Sequence, residues 1–507
     1  MLDSSEKMES SIEQQEPDTQ GTSRICWDTR LFWYLLVPVI LLLLIFPGDI
    51  QFVNDEPVLI LNALDANEKG TLVTQGLNGT VGVAYGAVPS WYYQAFLLLT
   101  HNLVVVSFLK NVISIALMVT ALIRIARHLD LPKIPILLFI SCPLFYSVHR
   151  TLWDDGFLVP ICLWIFAFAA DYSKTKKYMY LCFMAALSVL ILYTQIKAFF
   201  FCIATAIALV IFYWKEFKEK WKHTAALLTA SILGACPYII KVTQSHAVDE
   251  KWLSSRGTIL LEFLQLGKIL SYWKWFDLSL QEVVANNIFI PSIMIKVLIV
   301  ITAISIPLCI VGACIAIKDF RYKHPKTTTV SFLSLICFLN FLIYLSYFLL
   351  AGKKYLPHYS LGCFVPVLFF YWLAYSRLRI VKFMSAMQAL HISSCFIILI
   401  LMIVQIHANS GSRSIYGTSL KNQIKTVQKL RDYHPSTKVH TGYPLYSRFP
   451  HAYLAIQRVL GPWEKKGEIV YTSIGYETPK DPQDARLRLV VSETPFGPFL
   501  KENKAQP

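Results

Sequence analysis

Long apolar runs separated by short polar stretches dominate the chain between residues 30 and 407. A helix that spans a bilayer needs about 20 apolar residues, within a range of about 17–25. About eleven runs approach this length, so the pattern predicts about that many membrane helices. The predicted spans are 30–47, 104–125, 134–148, 156–172, 178–194, 197–214, 224–242, 291–317, 330–351, 361–376 and 385–407.

The loops between these runs carry charge in a regular order. If the N-terminus is cytoplasmic, every second loop should also be cytoplasmic and basic, as the positive-inside rule requires. These loops are indeed basic, and they are 124–133, 174–177, 215–223, 318–326 and 377–382. The loops on the other side hold acid pairs, namely Asp55/Glu56, Asp154/Asp155 and Asp249/Glu250. The pattern predicts a cytoplasmic N-terminus and an external C-terminus.

The chain divides into three predicted regions. Residues 1–29 are polar and acidic, which is typical of a disordered cytoplasmic tail. Residues 30–407 form the predicted transmembrane domain, whose first external loop, 48–103, should hold interfacial helices near 57–64 and 91–99. Residues 408–507 form an external segment that could fold as a small α/β unit.

Composition supports an all-α polytopic membrane protein. Hydrophobic residues make up 55% of the chain and charged residues 16%, whereas a soluble protein carries about a quarter charged residues. The net charge of +15 arises largely in short loops, without a basic and aromatic module, so no nucleic-acid partner is expected. The 11 cysteines show no metal-ligand spacing and predict no disulfide framework.

Asp55 and Glu56 directly follow the first apolar run. A carboxylate at a membrane face can accept a proton from an acceptor hydroxyl or amine, and two adjacent carboxylates raise the pKa of one of them. This makes the pair a candidate for base catalysis. The alternative is structural, because acids before Pro57 also suit the N-terminus of a helix.

The second external loop reads His149-Arg-Thr-Leu-Trp-Asp-Asp155. Asp154 or Asp155 could bind a divalent metal or hold sugar hydroxyls, and Arg150 could bind phosphate. The sequence has no DxD motif, which argues against metal dependence. The structural alternative is an ion pair between Arg150 and Asp154.

Further cations lie on the predicted external side. Lys197 stands between two apolar runs, where it could bind a lipid phosphate or extend to the interface. A later loop could stabilise a departing phosphate or anchor the interface through Lys353, Lys354, His358 and Tyr359. In the first loop, Tyr85 and Gly86 end a glycine-rich stretch that would let backbone approach a substrate.

The order of these features resembles the C-type (GT-C) glycosyltransferases, specifically the superfamily of protein O-mannosyltransferases and lipid A aminoarabinose transferases. Those enzymes carry an acidic residue or an Asp-Glu pair after the first span, matched here by Asp55-Glu56. Interfacial helices and a Gly/Tyr/Pro stretch follow, matched by Val83-Ala-Tyr-Gly-Ala-Val-Pro89. The resemblance covers roughly residues 30–405.

The resemblance implies an inverting membrane glycosyltransferase. Its donor would be a sugar on undecaprenyl or dolichyl phosphate, and its acceptor a glycan, lipid or protein. Asp55 would be the base with Glu56 in support, and Asp154 or Asp155 would be the important acid of the second loop. Arg150, Lys197 and the 353–358 cluster would bind phosphate. The resemblance favours a bacterial plasma membrane over the endoplasmic reticulum.

Two other classes of function remain open from the sequence. Charges at membrane depth would also serve a transporter or flippase for a lipid-linked or anionic solute. Transporters commonly show repeated halves with matching broken helices, and no such repeat is visible here. An inactive scaffold with the same fold is the other alternative.

Overall fold

The structure is a computed structural model. It describes residues 19–50, 52, 55–77, 85–142, 146, 149–244, 289–321, 325–351, 362–378, 382–409, 419–431, 439–442, 449–461, 469–472, 487–490 and 499–502.

Helices account for most of the described chain. From the first span to the second external loop they are α1 (Thr19–Leu44), α2 (Asp55–Glu68), α3 (Val88–Leu99), α4 (Leu103–Leu129) and α5 (Ile136–Ile140). The central helices are α6 (Leu158–Thr175), α7 (Tyr178–Leu192), α8 (Phe199–Glu219) and α9 (Trp221–Gln244). The later ones are α10 (Phe289–Arg321), α11 (Pro325–Ala351), α12 (Phe364–Arg377), α13 (Lys382–Asn409), α14 (Leu420–Arg431) and α15 (Phe449–Val459).

The membrane-helix prediction is confirmed in its main features. Among the described residues, 7 helices are long and apolar enough to cross a membrane: Leu103–Leu129, Asp154–Thr175, Phe199–Glu219, Trp221–Thr243, Ile293–Phe320, Thr328–Tyr347 and Met384–Val404. Two shorter apolar helices, Arg30–Leu44 and Tyr178–Leu192, coincide with two further predicted spans. The predicted span 361–376 corresponds to α12, which has 14 residues.

Two predicted boundaries differ from the structure. Residues 19–29, which were assigned to a disordered tail, continue α1, because neither glycine nor proline interrupts the chain between Thr22 and the apolar run. Residues 1–18 lie outside the described part. The predicted span 134–148 is not one helix. Its helix α5 ends at Ile140. In the sequence Pro143 follows three residues later, and a proline disfavours the continuation of a helix.

Helix α12 lies at the centre of the bundle. All its residues from Phe364 to Tyr375 are buried, and it packs against α6, α10 and α11. A helix that is apolar all round is expected where protein surrounds it on every side. Around this centre, α4 packs on α6 and α8 packs on α11.

The predicted first external loop, 48–103, contains the two expected helices, α2 and α3, which pack against each other. Gln94 of α3 fixes the chain that follows α2. Its Oε1 accepts from the Val73 N–H at 3.0 Å, and its Nε2 donates to the Thr71 carbonyl at 2.9 Å. These bonds hold residues 71–73 against α3.

The C-terminal segment adds α14, α15 and the strands β1 (Val439–Gly442), β2 (Ile469–Thr472), β3 (Leu487–Val490) and β4 (Phe499–Glu502). The sheet order is β2-β1-β3-β4. β1 pairs parallel with both β2 and β3, and β4 pairs antiparallel with β3. Helix α15 packs on α2, which brings this segment to the first external loop.

Candidate functional site

Asp55 and Glu56 are the first two residues of α2, directly before Pro57. This position agrees with base catalysis and also with a structural role, because acids in the first turn interact favourably with the positive end of a helix dipole. The two side chains differ in their exposure to solvent. The Asp55 side chain is half-buried, whereas Glu56 is only 4% exposed. Asp55 is therefore the acid of this pair that a substrate can reach more readily.

A hydrogen bond joins Asp55 to the predicted second external loop. The indole Nε1–H of Trp153 donates to Asp55 Oδ2 at 3.1 Å. The bond fixes one oxygen of the carboxylate. It also places α2 beside the acids that follow Trp153 in the chain.

Asp154 and Asp155 begin a 3-10 turn, Asp154–Phe157, at the start of α6. Both are buried, with exposures of 2% and 1%. Gln195, in the connection between α7 and α8, donates from Nε2 to Asp155 Oδ1 at 3.0 Å and to Asp154 Oδ2 at 3.3 Å. One amide thus positions both carboxylates of the second pair.

Lys110 is the cation at the centre of this acidic site. It lies in α4, roughly 10 Å along the axis from the first residue of the helix, and is fully buried. Its ammonium donates to the His149 carbonyl at 2.9 Å and to the Thr151 carbonyl at 2.5 Å. Asp154, Glu56 and Asp155 all lie within its electrostatic range. Lys110 therefore offsets the mutual repulsion of acids from two loops.

Gly156 makes room for this ammonium. A Cβ atom at Gly156 would lie 2.2 Å from Lys110 Nζ, well inside any acceptable contact. The Lys110 ammonium also lies 5.0 Å from the centroid of the Phe157 ring, in cation–π range. The turn after the acid pair is therefore shaped around the lysine.

Tyr93 of α3 brings a hydroxyl to the same place. Its side chain is 0% exposed, and its OH has no hydrogen-bond partner among the residues that the structure describes. Burial raises the pKa of Tyr93 well above its ordinary value, and the charges of Tyr92, Asp154 and Glu56 raise it further. The phenol stays protonated at physiological pH and is a potential hydrogen-bond donor.

Arg150 is turned toward the end of α1. Its Nη2 donates to the Ile45 carbonyl at 2.9 Å and also to the Phe46 carbonyl, and its guanidinium covers the Tyr146 ring at 3.9 Å. These contacts replace the alternative of an Arg150–Asp154 ion pair. Nε and Nη1 of Arg150 have no hydrogen-bond partner in the described part of the chain.

A small cavity, about the size of one water molecule, lies beside Arg150, between α1 and α4. Its polar lining comes from Arg150, His149, Asn111 and Ser114. Burial and the nearby Lys110 lower the pKa of His149 well below its ordinary value, so the imidazole is neutral. The positive charge at this cavity therefore belongs to Arg150.

Tyr85 and Gly86 lie where the first loop returns to the membrane helices. The Tyr85 carbonyl accepts from the Gly76 N–H at 2.9 Å, and its own N–H donates to the Leu77 carbonyl at 2.7 Å. A Cβ atom at Gly86 would lie 2.0 Å from the Tyr193 carbonyl oxygen. The missing side chain thus accommodates the protein's own backbone, where we had expected an approach to substrate.

Gly86→Ala is expected to destabilise the protein by about 1–3 kcal/mol, because backbone atoms on both sides of the contact have to move apart. Thermal unfolding in detergent measures the effect. Gly234→Ala is the matched control, since its Cβ would meet Val189 Cγ1 at an ordinary 3.4 Å. Equal melting temperatures for the two variants would contradict the close approach at Gly86.

Other predicted site residues remain untested. The Lys197 backbone belongs to a short 3-10 turn, Ile196–Ala198, but its side chain lies outside the described residues. The whole 352–361 loop also lies outside them, including Lys353, Lys354, His358 and Tyr359. Among the described residues, no group of three or more His, Cys, Asp or Glu side chains could hold a metal ion.

Lys110, Tyr93 and Gln195 were not singled out from the sequence. Lys110 carried a usable signal, because a lysine inside an apolar span must be paired. Tyr93 lies in the predicted interfacial helix 91–99, where nothing in the sequence distinguishes it from its aromatic neighbours, and Gln195 has no local signal at all. Only the fold brings these two beside the acids.

Comparison with solved structures identifies the fold. The crystal structure of ArnT from Cupriavidus metallidurans bound to undecaprenyl phosphate matches with a TM-score of 0.51 and 11% identity, over 83% of this chain and 84% of that one. The apo structure of the same protein matches with a TM-score of 0.52 and 11% identity, over 90% and 89%. No protein-family model and no curated protein matches the sequence. The chain is a multi-pass membrane protein with the ArnT fold, which confirms the fold that the resemblance implied.

Proposed function

We propose that the protein transfers a sugar from a polyprenyl-phosphate donor to an acceptor, with inversion at the anomeric carbon and Asp55 as the general base. The observation that carries the proposal is the site itself. A reachable carboxylate, Asp55, is fixed by Trp153 beside a second acid pair, and a buried lysine lies between the two loops. An ArnT structure with the same fold is bound to undecaprenyl phosphate, which supports the class of donor.

The proposed reaction has one displacement step. The acceptor hydroxyl or amine attacks the anomeric carbon, and its proton passes to the Asp55 carboxylate. The bond from that carbon to the phosphate oxygen breaks, and the electron pair leaves with the polyprenyl phosphate. Glu56 is buried beside Asp55 and orients it, while Asp154 and Asp155 hold sugar hydroxyls.

The departing phosphate needs positive charge close by. Among the described residues Arg150 is the candidate, because two of its guanidinium nitrogens have no partner there and it lines the small cavity beside α1. Lys197, Lys353, Lys354, His358 and Tyr359 complete the proposed phosphate ligands. Tyr85 and Gly86 belong to the acceptor side as supports of the loop.

Tyr93→Phe is expected to leave stability unchanged or slightly raised, because it removes a buried hydroxyl that has no partner among the described residues. Sugar transfer should fall about tenfold, since the hydroxyl lies beside Glu56 and Asp154 and can donate to the substrate. Steady-state transfer and thermal unfolding measure the two effects. Tyr92→Phe is the control on the neighbouring residue, and equal transfer by both variants would contradict a role for Tyr93.

Two measurements test the proposal itself. In the first, undecaprenyl phosphate is added to the purified protein and the melting temperature is compared with that in undecaprenol, which lacks the phosphate. Only undecaprenyl phosphate is expected to raise the melting temperature. In the second, undecaprenyl phosphate carrying a labelled hexose or pentose is incubated with the protein and membrane extract. Transfer of label into lipid, glycan or protein is expected, whereas flipping of the intact donor in liposomes without transfer would overturn the proposal.

A further inference from the structure

The connector between α1 and α2 is bound by the C-terminal segment. The Leu420 N–H donates to the Ile50 carbonyl at 2.9 Å, and the Lys421 N–H donates to the Gly48 carbonyl at 3.0 Å. Gln423 Nε2 donates to the Phe52 carbonyl at 3.0 Å. The start of α14 thus satisfies the backbone of the stretch that leads to Asp55.

Asp49 is the charged centre of this contact. Its side chain is fully buried and pairs with Lys421 Nζ at 2.5 Å and with His407 Nδ1 at 2.6 Å. His407 also stacks on the Phe46 ring, with 3.7 Å between centroids and 15° between planes. A carboxylate buried this deeply is stable only while its partners are in place.

The backbone at Phe46 shows that the connector is held in shape. Its φ of 52° lies in the left-handed region, which a phenylalanine adopts only where the surroundings impose it. Arg150 holds the Phe46 carbonyl from the second external loop, and His407 covers the ring from the end of α13. The connector is therefore held from two directions at Phe46.

The C-terminal segment also binds the far end of α2. Arg458 of α15 pairs with Asp65 at 2.5 Å and with Glu68 at 2.8 Å. Helix α2 is consequently attached to the segment in its last turn, and the connector that precedes it is attached as well. Neither the sequence nor the fold comparison had assigned a role to Asp49.

We infer that Asp49 is a positioning residue through which the docked C-terminal segment sets the place of α2, and hence of Asp55. The inference rests on the proposed function for its kinetic consequence. Its structural consequence, the order of α2, is measurable without any substrate.

Hydrogen–deuterium exchange on the full-length protein in nanodiscs tests the structural part. Asp49→Asn and Lys421→Met should speed exchange in residues 55–68 and 420–431, and Lys421→Arg should restore protection by keeping the cation. Lys425→Met is the matched control, because Lys425 is exposed on the same helix. Unchanged exchange in 55–68 for both disrupting variants would overturn the inference.

Kinetics test the positioning role. Lys421→Met should lower kcat between about tenfold and 100-fold, because a small displacement of a catalytic group is costly. The KM for donor should stay within about twofold, since Asp49 is buried against its partners and acts through the place of α2. Faster exchange with an unchanged kcat would overturn the positioning role. If the wild-type protein transfers no sugar, faster exchange in the variants would still support the attachment of α2. The absence of transfer would then overturn the proposed function alone.

Discussion

Asp55→Asn is expected to lower sugar transfer by at least about 100-fold without loss of folding, which is the size of a lost general base. Asparagine has nearly the same shape, and its side-chain oxygen can still accept the bond from Trp153 Nε1 that is 3.1 Å long in the structure. What it cannot do is take the proton of the acceptor. The substitution therefore removes the chemistry and keeps the geometry.

Transfer of labelled sugar from undecaprenyl phosphate measures this effect, with the melting temperature as the test of folding. Asp130→Asn is a suitable control, because Asp130 is exposed and ends α4 in a left-handed conformation that asparagine also tolerates. Glu56→Gln should lower sugar transfer less than Asp55→Asn does. The reverse order would assign the base to Glu56 and refute the role given to Asp55.

Lys110→Met should affect both stability and transfer. It removes two hydrogen bonds from a charged donor and leaves the acids of two loops without their shared cation. Breaking such a buried arrangement costs about 3–5 kcal/mol. Transfer should fall by about 100-fold, because the second external loop would no longer be fixed against α4.

Lys110→Arg separates charge from shape at this position. The Lys110 pocket is closed by Gly156, so the larger guanidinium should restore the charge and still lower the melting temperature. Lys218→Met, at an exposed position on α8, controls for loss of a lysine. A Lys110→Met protein with the melting temperature and activity of the wild type would refute the central place of this residue.

Hydropathy predicts most of this fold because membrane helices depend on a local property. A run of about 20 apolar residues satisfies its own backbone and needs no distant partner to be recognised. The departures have local causes as well. The sequence of one predicted span contains Pro143, three residues after the end of α5, and neither glycine nor proline stands between Thr22 and the first apolar run.

The site was predicted only in part, because several of its residues are brought together by contacts between distant parts of the chain. Asp55, Asp154 and Asp155 stand out because acids next to apolar runs are unusual in any membrane protein. Gln195 and Tyr93 are ordinary in their own segments, and contacts across the fold give them their place. Asp49 belongs with them, since its partners stand more than 350 positions later in the chain.

The contact between Asp49 and α14 has a consequence for the order of synthesis. The helix that bears Asp55 is among the first parts of the chain to be made, yet Lys421 and His407 are among the last. Until they arrive, Asp49 has neither of these partners, and the connector lacks its bonds to Leu420 and Lys421. A nascent or shortened chain would insert its helices without a positioned Asp55. The proposed sugar transfer would begin only when synthesis had passed residue 421.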